Sequence, residues 1–302
     1  MNRQQLTSGI RHQRRLKQLP VPGEWKLFSE SQEELFRRAT APDGDASELP
    51  RTILVFAHPD DETVALGARL GRFGRAHFVH VTDGAPRNEQ DSRWHGFASW
   101  REYRAARAEE FSKLLTLAGI PTATHECLEI PDQEASRQLA PLARRLAELV
   151  RQYQPEVIFT HPYEGGHPDH DACAFGVHHA VALCGAHVRP VPIVIEGAFY
   201  NAAASQPGSF LPSDDVFLER EYRLTPQEQQ RKQALIDCFR TQKETLHGFP
   251  LVWERFRCAP AYDFGTPPHS PPLLYDRYPW GMTSQQFNQL ARDAEDVLHD
   301  RA

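Results

Sequence analysis

Residues 51–74 read RTILVFAHPDDETVALGARLGRFG, and the way this stretch divides decides the fold. TILVFAHP is a run of branched and aromatic apolar residues that stops at a proline, as a buried strand does. DETVALGARLGRF then follows as a helix, with the acidic DDE in its first turn. A strand that delivers directly into a helix is the repeating unit of an α/β sheet. Working outward, the unit recurs. AHFVHVTDG (76–84) is a second strand, and after a polar loop a helix runs from about Ser99 to Leu117, with Gly119 as its stop. HECLEIPD (125–132) reads as a third strand. QLAPLARRLAELVRQY (138–153) has apolar residues at helical spacing, with Pro141 limiting its start, and EVIFTHPYEGG (156–166) returns to a strand. PIVIEGAFY (192–200) is the last clear strand. A helix is expected over 225–249, followed by a proline- and aromatic-rich loop region at about 257–282. The order predicts a Rossmann-like α/β fold: a mostly parallel sheet with helices on both faces and a catalytic crevice at the carboxyl ends of the strands.

Of the 302 residues, 40% are hydrophobic and 25% charged, which is globular composition with enough length for a large core. Residues 1–50, with a basic start and the polar stretch APDGDASELP, read as an N-terminal extension and linker, leaving 51–302 as the catalytic domain. The net charge of −6 disfavours a nucleic-acid or anionic-membrane surface and points to a small-molecule partner. No apolar stretch approaches the roughly 20 residues of a membrane span, and no leader is expected. Five cysteines without a CxxC pair fit reduced thiols and a cytoplasmic location.

Two polar clusters stand at predicted strand ends: HPDDE (58–62) and HPDHD (167–171). A catalytic zinc takes three protein ligands from His and carboxylate and keeps one position open for water. His58, Asp61 and His170 supply that set, with Zn2+, or another divalent metal such as Fe2+, as the expected cofactor. The metal would bring the pKa of water toward about 7, and the adjacent Asp60 is placed to take the proton. His167 is then free to hold an oxyanion or donate a proton. Either motif alone reads equally well as a turn with an N-cap aspartate, and it is their joint occurrence that argues for a metal site. His178 and His179 are expected to pack, and His77, His80 and His125 to be structural. No phosphate-cradling glycine loop follows any strand.

AHPDDE (57–62) together with HPDHD (167–171) resembles the PIG-L/LmbE-like deacetylase superfamily, over about residues 50–200 and more loosely to Tyr275. The resemblance implies a Rossmann-like fold, zinc-dependent removal of an acetyl group from an N-acetylated sugar or related amide, ligands His58, Asp61 and His170, base Asp60 and assisting histidine His167. It also implies that Asp132 contacts the assisting histidine, where an N-cap is the competing reading. Arg107 and Glu110 are similar to a family RxxE, which an i,i+3 ion pair on a solvated face explains equally well. Some relatives with this motif hydrate unsaturated carboxylic acids, so a hydratase on the same metal site is the enzymatic alternative, with Arg87 and Arg93 available to either. A binding module with a dead metal site is the non-enzymatic one. The expected substrate is an N-acetyl sugar derivative, with no nucleic acid and no membrane span; a homo-oligomer is compatible.

Overall fold

The computed structural model describes residues 29–300, apart from 186–187, 205 and 213–217. In chain order its elements are α1 (Glu30–Ala39), β1 (Thr52–Phe56), α2 (Asp61–Leu66), β2 (His77–Thr82), α3 (Gln90–Trp94), α4 (Trp100–Leu117), β3 (Thr124–Ile130), α5 (Leu139–Tyr153), β4 (Val157–Thr160), α6 (Pro168–Cys184), β5 (Ile193–Gly197), β6 (Glu219–Arg223), α7 (Pro226–Ile236), α8 (Lys243–Leu246), β7 (Trp253–Cys258) and α9 (Ser284–His299). The strands form one sheet of order β3-β2-β1-β4-β5-β7-β6. The first five are parallel, β7 runs antiparallel to β5, and β6 runs antiparallel to β7.

All five residues of β1 are buried because helices cover both faces, and the alternation of the pleat sorts them. Ile53 and Val55 join a cluster with α5, α6 and α9, while Leu54 and Phe56 join one with α1, α2, α4 and α7. From β1 the chain moves outward through β2 to β3, and from β4 it moves the other way to β5. The crevice where these directions part lies at the carboxyl ends of β1 and β4, which is where such sheets bind ligands. Both motifs lie there.

Three expectations change. Within the expected extension Ser29 and Gln32 form a capping box that starts α1, and Phe36 and Ala39 are fully buried, while 41–50 connects α1 to β1 without helix or strand. Apolar burial against Leu54 and Phe56 outweighs the helix's polar composition. The earlier part of the extension lies outside the described residues. The single helix expected over 225–249 is interrupted after Ile236 and resumes as a 3₁₀ turn and α8, because Thr241 turns its backbone N–H and hydroxyl to the Glu110 carboxylate. The aromatic loop region begins only after Cys258, since WERFRC is strand β7. Its charged residues disguised it; Glu254 is buried and paired to Arg69 at 2.7 Å and to Lys232 at 3.0 Å. Among the described residues no helix is long and apolar enough to cross a membrane.

Candidate metal centre and active site

β1 ends at Phe56, and the chain turns through His58-Pro59-Asp60 into α2. Asp60 occupies the position of a helix cap, yet its side chain makes no capping hydrogen bond, and its backbone is held at φ 146°. A non-glycine residue there is strained, and such strain persists where surrounding contacts impose it. Here they do. Arg107 Nη2 donates to Asp60 Oδ2 at 2.9 Å and to the Pro59 carbonyl at 3.1 Å, while Nη1 donates to the Gly84 carbonyl at 2.8 Å. The N-cap reading of Asp60 therefore fails. The solvated Arg107–Glu110 ion pair fails too, since both side chains are buried and each has a different partner.

Asp61 points the other way. Its Oδ2 accepts the His58 backbone N–H at 2.8 Å and stands 3.3 Å from His58 Nδ1, and its Oδ1 stands 3.4 Å from His170 Nε2. These contacts reach different oxygens of Asp61; among the described residues, donor atoms gather within 4.8 Å of one another in the sets His58, His167 and His170; His58, Asp132, His167 and Asp169; and Asp61, His161 and His170. His58 Nε2 lies 3.1 Å from Asp132 Oδ1 and 3.4 Å from Asp169 Oδ2. A metal-bound histidine characteristically gives its other N–H to a carboxylate, which fixes the ring. The donor set and its surroundings thus fit a divalent cation.

The electrostatics agree. Burial opposes charge on both His58 and Asp61, but neighbouring groups overcome it: Asp132 and the other carboxylates hold His58 well above its ordinary pKa, and His170 and His161 hold Asp61 well below. Burial raises Asp60 well above the ordinary carboxylate range, Arg107 pulls it down, and Asp61 pushes it up.

His167 caps α6, its Nδ1 accepting the Asp169 N–H at 3.2 Å. Burial, then His58 and His170, keep its pKa well below the ordinary value. The ring is therefore neutral with its proton on Nε2. Gly166, just before it, lies so close to the Tyr200 carbonyl that a Cβ would collide. Asp132, expected beside His167, is instead hydrogen-bonded to His58, though one of its oxygens is within 4.8 Å of a His167 nitrogen. It caps no helix, as the next 3₁₀ turn starts after Glu134.

Two participants were not singled out from sequence. Asp169 accepts the Gln133 and Ala135 amides at 2.6 and 3.0 Å and so ties the segment after β3 to α6. His161, one residue beyond β4, accepts the Ala57 N–H through Nε2 at 3.0 Å and stacks on His170 at 3.9 Å. With that nitrogen engaged it supports His170; burial and His170 lower its pKa to about 3. Its place mirrors that of His58 after β1, which was the available signal. Five further histidines pack away from the site: His77 stacks on Tyr153, His80 lies between Glu62 and His125, and His178 and His179 pack on Phe264. The five cysteines are free. Arg87 and Arg93 pair with Asp83 and Glu89, and neither lines the cavity.

The site floors a cavity of about 420 Å3. Residues 53–181 match the family model described as PIG-L, GlcNAc-PI de-N-acetylase. The similarity to that family spans less than half of the chain. The 1D-myo-inositol 2-acetamido-2-deoxy-alpha-D-glucopyranoside deacetylases of Mycobacterium bovis and Mycobacterium tuberculosis are 28% identical over 146 residues, 41% of this chain and 48% of each relative. The matched segment thus spans about half the length of those relatives. Among solved structures, a deacetylase of the teicoplanin biosynthesis pathway (16% identity, TM-score 0.55) covers 68% of this chain and 96% of its own. The A40926 pseudoaglycone deacetylase (18%, TM-score 0.54) covers 70% and 99%. They share the fold of this chain.

Proposed function

We propose that the protein is a zinc-dependent N-deacetylase that removes the acetyl group from an N-acetylated sugar or sugar-containing small molecule. The observation that carries this reading is the division of labour between adjacent aspartates: Asp61 faces His58 and His170, whereas Asp60 is held apart by Arg107. The activity named for the mycobacterial relatives supports the same chemistry.

His58, Asp61 and His170 would hold the ion, which would supply Lewis acidity and lower the pKa of water. Asp60 takes the water's proton as its oxygen attacks the carbonyl carbon. Burial makes this carboxylate a stronger base than an exposed one, and the Arg107 bond keeps it available in ionised form. His167, neutral and carrying its proton on Nε2, donates a hydrogen bond to the developing oxyanion. The proton on Asp60 passes to the nitrogen as the C–N bond breaks, giving acetate and a free amine. Asp132 and Asp169 hold the His58 ring, and His161 holds His170. Hydration of an unsaturated carboxylate is less well supported: among the described residues lining the cavity Arg107 is the one permanent cation, and Asp60 occupies it.

The test is acetate release from a panel of N-acetylglucosaminides, with the metal content of the pure protein measured in parallel. Acetate formed in proportion to bound zinc is expected; zinc-loaded protein that releases none from any member would overturn the reading.

A further inference from the structure

The mouth of the cavity has a chemistry of its own. α3 presents Asp91 and, one turn later, Trp94, which is 83% exposed; α8 presents Glu244 from the opposite segment of the chain, and Trp280 lies against His167 with a ring separation of 4.5 Å. Among the described residues neither the Asp91 nor the Glu244 carboxylate has a hydrogen-bond or ion-pair partner. Between mouth and floor, Gln242 is 8% exposed. Its Nε2 donates to the Tyr103 hydroxyl at 2.5 Å and to the Thr241 carbonyl at 3.0 Å, and its Oε1 accepts nothing from the described residues. The Tyr103 hydroxyl, already an acceptor, has its own hydrogen left to give. A buried acceptor and a donor therefore line the passage, in the arrangement that reads a hydroxyl or amine.

Charge decides what the mouth prefers. On the floor, Asp60 is neutralised by Arg107, and Asp132 and Asp169 are engaged with the His58 ring. At the mouth neither Asp91 nor Glu244 has an ion-pair partner among the described residues; burial raises the Asp91 pKa against the charges of His95 and Arg107, and burial lowers that of His95. An exposed tryptophan beside a free carboxylate is a favourable seat for an ammonium, which gains both the ion pair and the ring face.

We infer that this mouth selects a glycoside bearing an amine beyond the acetylated ring, and disfavours one bearing a carboxylate or phosphate there. The inference rests on the deacetylase reading and names its substrate class. It is tested with three matched N-acetylglucosaminides whose aglycones carry an amine, no charge or a carboxylate, comparing kcat/KM for acetate release by the full chain. The amine is expected to exceed the carboxylate by about tenfold at low salt, with the neutral compound between, and the ratio should shrink as ionic strength rises. In the double variant Asp91→Asn, Glu244→Gln the ratio should fall to within about threefold, with metal content and melting temperature checked to show an intact fold. Equal rates, a carboxylate preference, or a ratio unchanged in the double variant would overturn this inference while leaving deacetylation standing. Acetate release from none of the three would overturn the deacetylase reading, and this inference with it.

Discussion

The floor and the mouth of one cavity are built on opposite rules. On the floor the charged side chains are buried and matched: Asp60 with Arg107, His58 with Asp132 and Asp169, Asp61 between two histidines. At the mouth the aromatic Trp94 is exposed, and the carboxylates of Asp91 and Glu244 have no ion-pair partner among the described residues. A matched, desolvated cluster fixes geometry, because any displacement leaves a buried charge without its partner. An open, unmatched one offers its bonding capacity to whatever enters. On the proposed reading the floor sets the reaction and the mouth sets the substrate.

That contrast can be broken most severely at the cation site. His58→Ala and His170→Ala are expected to lose the metal and all measurable activity, and a chelator should do the same to the native protein. Elemental analysis finding undiminished zinc in both variants would remove them as ligands. Next in size is Asp60→Asn, which should keep the metal while kcat falls by about 10²–10⁴-fold. Asp61→Asn should instead weaken metal binding itself. The reverse pattern in the two variants would exchange the roles of the neighbours.

A smaller effect is expected at Asp132, where Asn can no longer hold the His58 ring as a carboxylate does. Metal affinity or activity should drop about 10–100-fold, and an unaltered zinc titration would remove that role. Arg107 sharpens the comparison through pH. Burial raises the Asp60 pKa and Arg107 lowers it, so the base works above a raised value and is lost as pH falls through it. Arg107→Met removes the lowering influence. The acidic limb of kcat/KM should then move to higher pH by about 1–3 units, and Arg107→Lys should move it less. A limb that stays in place would show that a group other than Asp60 governs it. The mildest change belongs to the mouth. Trp94→Ala, at an exposed side chain, should leave zinc content and melting temperature alone and raise KM by a few-fold up to about tenfold, the worth of roughly 1 kcal/mol of aromatic contact.

Much of the floor was legible because short, ordered spacings carry it. His58, Asp60 and Asp61 lie within one strand-to-helix turn, and His167 and His170 within the first turn of one helix. Arg107 and Glu110 were legible only as a spacing. Three residues apart on a helix they read as each other's partners, and nothing in that interval says that α4 is covered on the face they share by the turns of Asp60 and Thr241. β7 was hidden for a related reason: WERFRC places charge where a strand usually has none, and Arg69, Lys232 and the Ala68 N–H, distant in the chain, make Glu254 a tolerable core residue. α1 was obscured by its polar surroundings, although Phe36 carried enough apolar area to dock it.

By itself, then, the sequence determined the alternation of strands and helices, the parallel sheet and the two motifs at its strand ends, since all of these follow from hydrophobic period and from neighbours a few residues apart. The tertiary structure alone decided which carboxylate meets which base. It turned Asp60 toward Arg107 and Asp61 toward His170, gave Asp132 to His58, set His161 beneath His170, and brought α3 and α8 together at the mouth. The physical reason is that a buried charge takes its energy from the nearest group in space, and distance along the chain carries no information about that neighbour until the sheet has closed.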